Sequence, residues 1–253
     1  MPRVTKLSDR GYEFPDPEHA LETPNGLLAV GGDLSPERLI SAYAGGVFPW
    51  YDDDAQPILW WSPDPRAVLR PDAVRITRSL RKRLRQRTLR CTADRAFRAV
   101  VEGCAGIRRD KSGRTSGTWI TPNMKLAYAR LHELGYAHSI ECWSGDELVG
   151  GLYGVSLGRV FFGESMFSRM TDASKVAFVR LAEQLCAWRF TLIDCQVMNP
   201  HLASLGAQPM PRKTFLALLR SNPLDDTRRG FWRLEDEAVV DDRCEDRNCE
   251  DKK

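Results

Sequence analysis

The sequence predicts an α+β fold with a small N-terminal domain ahead of a larger one, and three observations predict it. A long helical signal at 121–135 leads into three strand-like runs, 138–143, 148–155 and 159–167. Their joints, Ser144-Gly145-Asp146 and Ser156-Leu157-Gly158, are turn-sized and so predict an antiparallel meander. A second helical signal at 174–188 then precedes a short strand at 191–197. The first 66 residues, by contrast, are rich in proline, glycine and aromatics. The expected organisation is a small domain at 1–66, a main domain at 67–234 with a mixed, largely antiparallel sheet, and an acidic, solvated and disordered tail at 235–253.

In chain order, Asn25-Gly26 marks a turn. Ser35-Pro36 supplies an N-cap and a first-turn proline for a short helix that Gly45-Gly46 closes. Residues 77–87 can be helical although mostly charged, a second helix is expected over 93–104, and 106–117 reads as a basic, flexible loop. Thr121 then caps a helix with Pro122 at its first position and Met124, Ala127, Tyr128, Leu131 and Leu134 at helical spacing, ending at Gly135. In the helix over 174–188 the apolar stripe is Phe178, Leu181, Leu185 and Trp188. A last helix is expected over 212–220, and no internal repeat occurs.

At 253 residues, 42% hydrophobic and 28% charged, the chain can bury a real core. It holds no apolar run long enough to span a bilayer, and its first residues lack a signal-peptide core, so a soluble, cytoplasmic protein is expected. Seven scattered cysteines without a CxxC pair read as reduced thiols rather than as a metal site. The net charge of +3 conceals an asymmetry: ten Lys or Arg against one acid, Asp94, lie between Arg75 and Arg98, and the acidic tail offsets part of that excess. A patch so poor in acids suits a polyanion such as RNA, although a solvated surface would look the same.

Two strands carry polar groups that need partners. In Leu192-Ile193-Asp194-Cys195-Gln196-Val197, regular alternation would put Asp194 and Gln196 on one face and Ile193, Cys195 and Val197 on a core face. Unpaired burial of either polar group would cost about 1–3 kcal/mol. A structural pairing is the commoner explanation of such a pair. Glu164, inside Phe161-Phe162-Gly163-Glu164-Ser165-Met166-Phe167, needs either an internal cation, Arg169 or Lys175, or an external one. Of the tryptophans, Trp60 and Trp61 read as packing between domains, and the isolated Trp119 reads as a ligand wall.

Taken together, these stretches resemble the leucyl/phenylalanyl-tRNA–protein transferase family. The resemblance rests on Pro24-Asn25-Gly26-Leu27-Leu28 with Gly31-Gly32-Asp33-Leu34, Phe48-Pro49-Trp50, Trp60-Trp61-Ser62-Pro63-Asp64-Pro65-Arg66 and Thr118-Trp119-Ile120-Thr121. It continues through His138-Ser139-Ile140-Glu141, Gly163-Glu164-Ser165-Met166-Phe167-Ser168-Arg169, Ile193-Asp194-Cys195-Gln196-Val197 and Ser204-Leu205-Gly206-Ala207, in the family's order from about Phe14 to Leu219. The tail matches nothing in that pattern.

The resemblance implies a main domain of GCN5-related acetyltransferase-like fold, an order that the predicted elements also follow. It implies a donor tRNA charged with Leu, Phe or, less well, Met, and acceptor proteins beginning with Arg or Lys, whose new N-terminal residue marks them for degradation by the bacterial N-end rule pathway. Catalytic roles would fall to Asp194, Gln196 and Glu164: the acids would supply charge for the acceptor, and Gln196 would orient its amine. Phe161, Met166, Phe178, Leu181 and Ile193 would seat the donor side chain, and Trp50 and Trp119 would stack on the terminal adenosine. Arg81, Lys82, Arg83, Arg85 and Arg87 would hold acceptor-stem phosphates. A monomer without cofactor or metal is expected. An acetyl-CoA enzyme is disfavoured because 168–175 lacks the glycines of a pyrophosphate turn, and a non-catalytic RNA-binding module leaves Glu164, Asp194 and Gln196 unexplained.

Overall fold

A computed structural model describes residues 3–8, 10–106 and 119–235, together with the backbone of 108–109 and 115–116. The tail beyond Glu235 and most of the basic loop expected at 106–117 lie outside the described residues.

The N-terminal segment forms a four-stranded sheet from β1 (Thr5–Leu7), β2 (Leu27–Gly31), β3 (Phe48–Pro49) and β4 (Leu59–Trp61), in the order β1-β2-β4-β3. Helix α1 (Pro36–Ala44) lies between β2 and β3. It begins at the expected Ser35-Pro36 signal and ends where Gly46, at φ +76°, reverses the chain. Trp60 is fully buried and its indole donates to the Gly31 carbonyl at 2.8 Å, in keeping with a packing role.

The remainder builds a seven-stranded sheet. Its elements in order are β5 (Arg66–Leu69), α2 (Arg78–Gln86), β6 (Arg90–Ala93), α3 (Phe97–Ala105), the two-residue strands β7 (Arg108–Arg109) and β8 (Thr115–Ser116), α4 (Pro122–Glu133), β9 (Ala137–Ser144), β10 (Glu147–Leu157), β11 (Val160–Ser168), α5 (Ala173–Ala187), β12 (Leu192–Gln196), α6 (Pro200–Leu205), β13 (Gln208–Met210) and α7 (Arg212–Arg220). Among the described residues β7 and β8 pair with each other; the sheet order is β13-β5-β12-β11-β10-β9-β6. The meander β9-β10-β11 is antiparallel as expected, and β12 runs parallel to β11.

Local chemistry starts the helices. Thr121 Oγ1 accepts from Met124 N at 3.3 Å and Thr77 Oγ1 from Leu80 N at 3.2 Å, satisfying first-turn donors. The helix expected over 93–104 starts late, at Phe97, because Asp94 takes φ +58° and turns its carboxylate to Ser139 N and His138 Nδ1, each at 2.8 Å. The residues before it form β6 instead.

Alternation along the strands divides the core. Leu152 and Phe161 face α5, whereas their neighbours Tyr153 and Phe162 face α3 and α4. The α3 side also takes in Leu28, Leu39, Tyr43 and Trp60, so its apolar packing runs without a break into the N-terminal sheet. No helix among the described residues is long and apolar enough to cross a membrane.

Candidate active site

The parallel strands β11 and β12 pair only from Val160↔Leu192 to Phe162↔Asp194, although β11 continues to Ser168. Where pairing stops, a cavity of about 680 Å³ opens. Its wall draws on both halves of the core, including Tyr153 from one and Phe161, Phe178, Leu181 and Ile193 from the other. All five apolar residues expected to seat a donor side chain, Met166 among them, line it, as do Trp50 and Trp119. Trp50 is 41% exposed at the mouth.

Glu164 is aimed by a bulge. Tyr153 pairs with Ser165 and Gly154 with Gly163, which leaves Glu164 as the extra residue between them. Gly154 is required opposite, since a side chain there would strike the Phe162 carbonyl. The carboxylate accepts from Tyr43 Oη and Tyr128 Oη, both at 2.8 Å, and from Gln196 Nε2 at 2.7 Å. Neither cation proposed as its internal partner reaches it. Lys175 pairs with Asp172 at 2.9 Å, and Arg169 lies over Phe167 and donates to Leu148 O. Burial pushes Glu164 up to about 7, with the Asp194 charge adding to that shift and the three hydrogen bonds opposing it.

Asp194 departs from the expectation. Arg66 Nε and Nη2 grip its carboxylate at 2.8 and 2.6 Å, and both side chains are fully buried. The guanidinium lies between Phe48 and Phe215, 4.7 and 4.8 Å from their ring centres. Asp194 is thus turned away from the cavity and taken up by an internal cation, so it does not offer free charge to an incoming acceptor. Its Oδ1 instead accepts Gln196 N at 2.9 Å and holds that residue at φ +61°. The expected shared face of Asp194 and Gln196 is broken by this turn and by a register shift against β5. Gln196 lines the cavity while Asp194 does not, Ile193 and Cys195 line it rather than belonging to core alone, and Val197 is 43% exposed.

Tyr43, Tyr128 and Arg66 escaped the sequence reading. A buried tyrosine hydroxyl needs a partner, so Tyr128 on the core stripe of its helix was the available signal; nothing local linked it to Glu164, 36 residues away.

Helix α2 stands apart from the cavity wall. Arg81, Lys82, Arg85 and Arg87 are exposed, whereas Arg83 is half-buried with Nη2 3.3 Å from Met170 Sδ. Met170 lies just before α5, which contributes Ser174, Phe178 and Leu181 to the cavity.

Known proteins match this sequence. The family model for leucyl/phenylalanyl-tRNA protein transferase matches residues 68–220, and that for its N-terminal domain matches 32–64. A leucyl/phenylalanyl-tRNA–protein transferase of Stutzerimonas stutzeri (strain A1501) is 55% identical over 230 residues, covering 91% of this chain and 99% of its own. The enzyme of the same name from Anaeromyxobacter sp. (strain Fw109-5) is 58% identical over 226 residues, covering 89% and 94%. Among solved structures, L-PGS from Bacillus licheniformis aligns with 68% of this chain and 54% of its own at 14% identity and a TM-score of 0.36, too distant to inform the fold. The chain belongs to the leucyl/phenylalanyl-tRNA–protein transferase family.

Proposed function

We propose that this transferase moves leucine or phenylalanine, and methionine less well, from charged tRNA to the α-amino group of cytoplasmic proteins beginning with Arg or Lys, marking them for degradation, and that it works as a monomer. The observation that carries the acceptor half is Glu164: a half-buried carboxylate at a cavity wall, held by two tyrosines and an amide, with no cationic partner among the described residues. A bound Arg or Lys side chain supplies the missing charge.

The donor side chain packs among Phe161, Met166, Phe178, Leu181 and Ile193, a surface that accepts Leu and Phe and disfavours polar side chains by desolvation. Trp50 and Trp119 stack on the terminal adenosine. The basic face of α2 contacts phosphates, which suits tRNAs of differing sequence. Because Gln196 Nε2 is committed to Glu164, its Oε1 is the atom left to accept from the incoming amine. The amine attacks the ester carbonyl, the C–N bond forms, the C–O bond breaks, and the ribose hydroxyl departs with the proton. Positioning carries much of the rate, since the ester is already activated; Asp194 and Arg66 serve by fixing Gln196. An acetyltransferase-like reading of the main domain is supported by the order helix, three antiparallel strands, helix, parallel strand, and by the divergence of β11 and β12.

The test is transfer of radiolabelled leucine from leucyl-tRNA to peptides beginning Arg, Lys, Asp and Glu. Label is expected on the Arg and Lys peptides; equal labelling of the Asp and Glu peptides overturns the acceptor reading.

A further inference from the structure

Cys91 on β6 and Cys142 on β9 are direct cross-strand neighbours. Asp94 N donates to Ser139 O at 3.1 Å, which makes Asp94/Ser139 a hydrogen-bonded position of the ladder. Such positions alternate, so Thr92/Glu141 is also hydrogen-bonded and Cys91/Cys142 is not. At non-hydrogen-bonded positions the Cα atoms approach to about 4.5 Å and the side chains lie closest. That spacing falls inside the range of about 4.4–6.8 Å that a disulfide spans.

Both thiols are free, Cys142 buried and Cys91 half-buried. Each thiol acts on the other, pushing Cys91 up and drawing Cys142 down, and burial adds to the first shift while the Arg83 guanidinium reinforces the second. The Arg83 guanidinium favours a thiolate at Cys142, and Cys91 is the more exposed of the two sulfurs.

The pair also lies under the basic helix. Leu80 and Leu84, the only apolar residues of the nine-residue α2, pack in the cluster that contains Cys91 and Cys142. A helix this short does not hold its shape alone, so its seat fixes where its arginines point.

We propose that Cys91 and Cys142 form a modification site, a dithiol that hydrogen peroxide closes to a disulfide, and that closure unseats α2 and weakens its hold on tRNA. The Cys142 thiolate attacks one peroxide oxygen, the O–O bond breaks, and hydroxide leaves to become water, giving a sulfenic acid. The Cys91 sulfur then attacks the Cys142 sulfur, and the hydroxyl leaves with the Cys91 proton as a second water. Two thiols are oxidised and one peroxide is reduced to two waters. Closure draws the sulfurs to about 2.05 Å and opens a gap beneath Leu80 and Leu84. The tRNA half of this inference rests on the reading of α2 given above.

The experiment treats the full chain with a small excess of hydrogen peroxide, maps peptides without reduction, and measures leucyl-tRNA binding by filter retention. A linked Cys91–Cys142 peptide is expected, with binding at least about threefold weaker and restored by dithiothreitol. Cys142→Ala is expected to form no such link and to keep its affinity under peroxide; Cys91→Ser serves as a second control. Absence of the linked peptide overturns the site, and a linked protein of unchanged affinity overturns the coupling to α2. Equal loss of affinity by Cys142→Ala also overturns the coupling. The reading of α2 is tested separately, by alanines at Arg81, Lys82 and Arg85.

Discussion

Glu164 shows how much one side chain depends on its surroundings. Burial holds it near the point where it is half ionised at neutral pH, yet an acceptor's cation needs the charged form. Transfer to an Arg peptide should therefore rise as pH increases through about 7. The acceptor amine, losing its proton at about 7.7–8.0, adds a second rise of the same sign. Glu164→Gln should lose the lower limb, keep the upper one, and cut kcat/KM by roughly 10- to 150-fold, since a charge-assisted contact is worth about 1.5–3 kcal/mol, while tRNA binding stays within about twofold. An unchanged pH profile in that variant would remove Glu164 from acceptor recognition. Glu141 gives a stability counterpart: burial pushes it, too, up to about 7, despite bonds from Thr92, Ser139 and Ala96 N. A carboxyl raised on folding binds more protons in the native state, so its contribution falls as pH rises from 4.5 to about 7 and is constant above. His138, lowered by burial, acts in the opposite sense below 6.5. The wild type minus Glu141→Gln difference in unfolding free energy isolates the glutamate, and it should decline across that window.

At the scale of elements, β12 and α2 illustrate opposite degrees of legibility. Helix α2 could be read from its residues: Thr77 caps it, and its charge leaves only Leu80 and Leu84 to pack. Its exposed face, as a phosphate contact, predicts that tRNA affinity falls steeply with salt. Replacing Arg81, Lys82 and Arg85 by alanine should flatten that log–log slope by up to about one unit for each phosphate that the helix no longer neutralises. A slope equal to wild type would return the helix to an ordinary solvated surface. The existence of β12 was equally legible, but not the orientation of its end. Alternation assigns Asp194 and Gln196 one face only if the strand stays regular, whereas the bond from Gln196 N to Asp194 and a left-handed backbone turn separate them. Likewise β5, β6 and β13, of four, four and three residues, carry too little periodicity to be recognised.

Across the whole molecule, the last described residues close the side of the sheet that α5 covers. Trp232 is 2% exposed; it stacks on His138 at 3.8 Å between ring centres, and its amide donates to Asp94 Oδ2 at 2.7 Å. It also meets Phe161, a cavity residue, at 6.0 Å. Removing that indole leaves a void behind the cavity wall, so Trp232→Ala should cost about 3–5 kcal/mol in denaturant unfolding. A loss below about 1 kcal/mol would mean that Trp232 packs only loosely.

The sequence by itself determined the order and type of the long elements, because caps, turn residues and apolar periods act within a few positions of one another. It also singled out Trp119, Glu164, Asp194 and Gln196, whereas Trp50 and the apolar cavity residues came from the family resemblance. Only the tertiary structure decided which acid meets which partner. Arg66 lies 128 positions from Asp194, and Tyr43 lies 121 from Glu164. Ion pairs and hydrogen bonds depend on distances of a few ångströms, and those distances are set by strand order, a bulge and the end of strand pairing, none of which leaves a local mark on the chain.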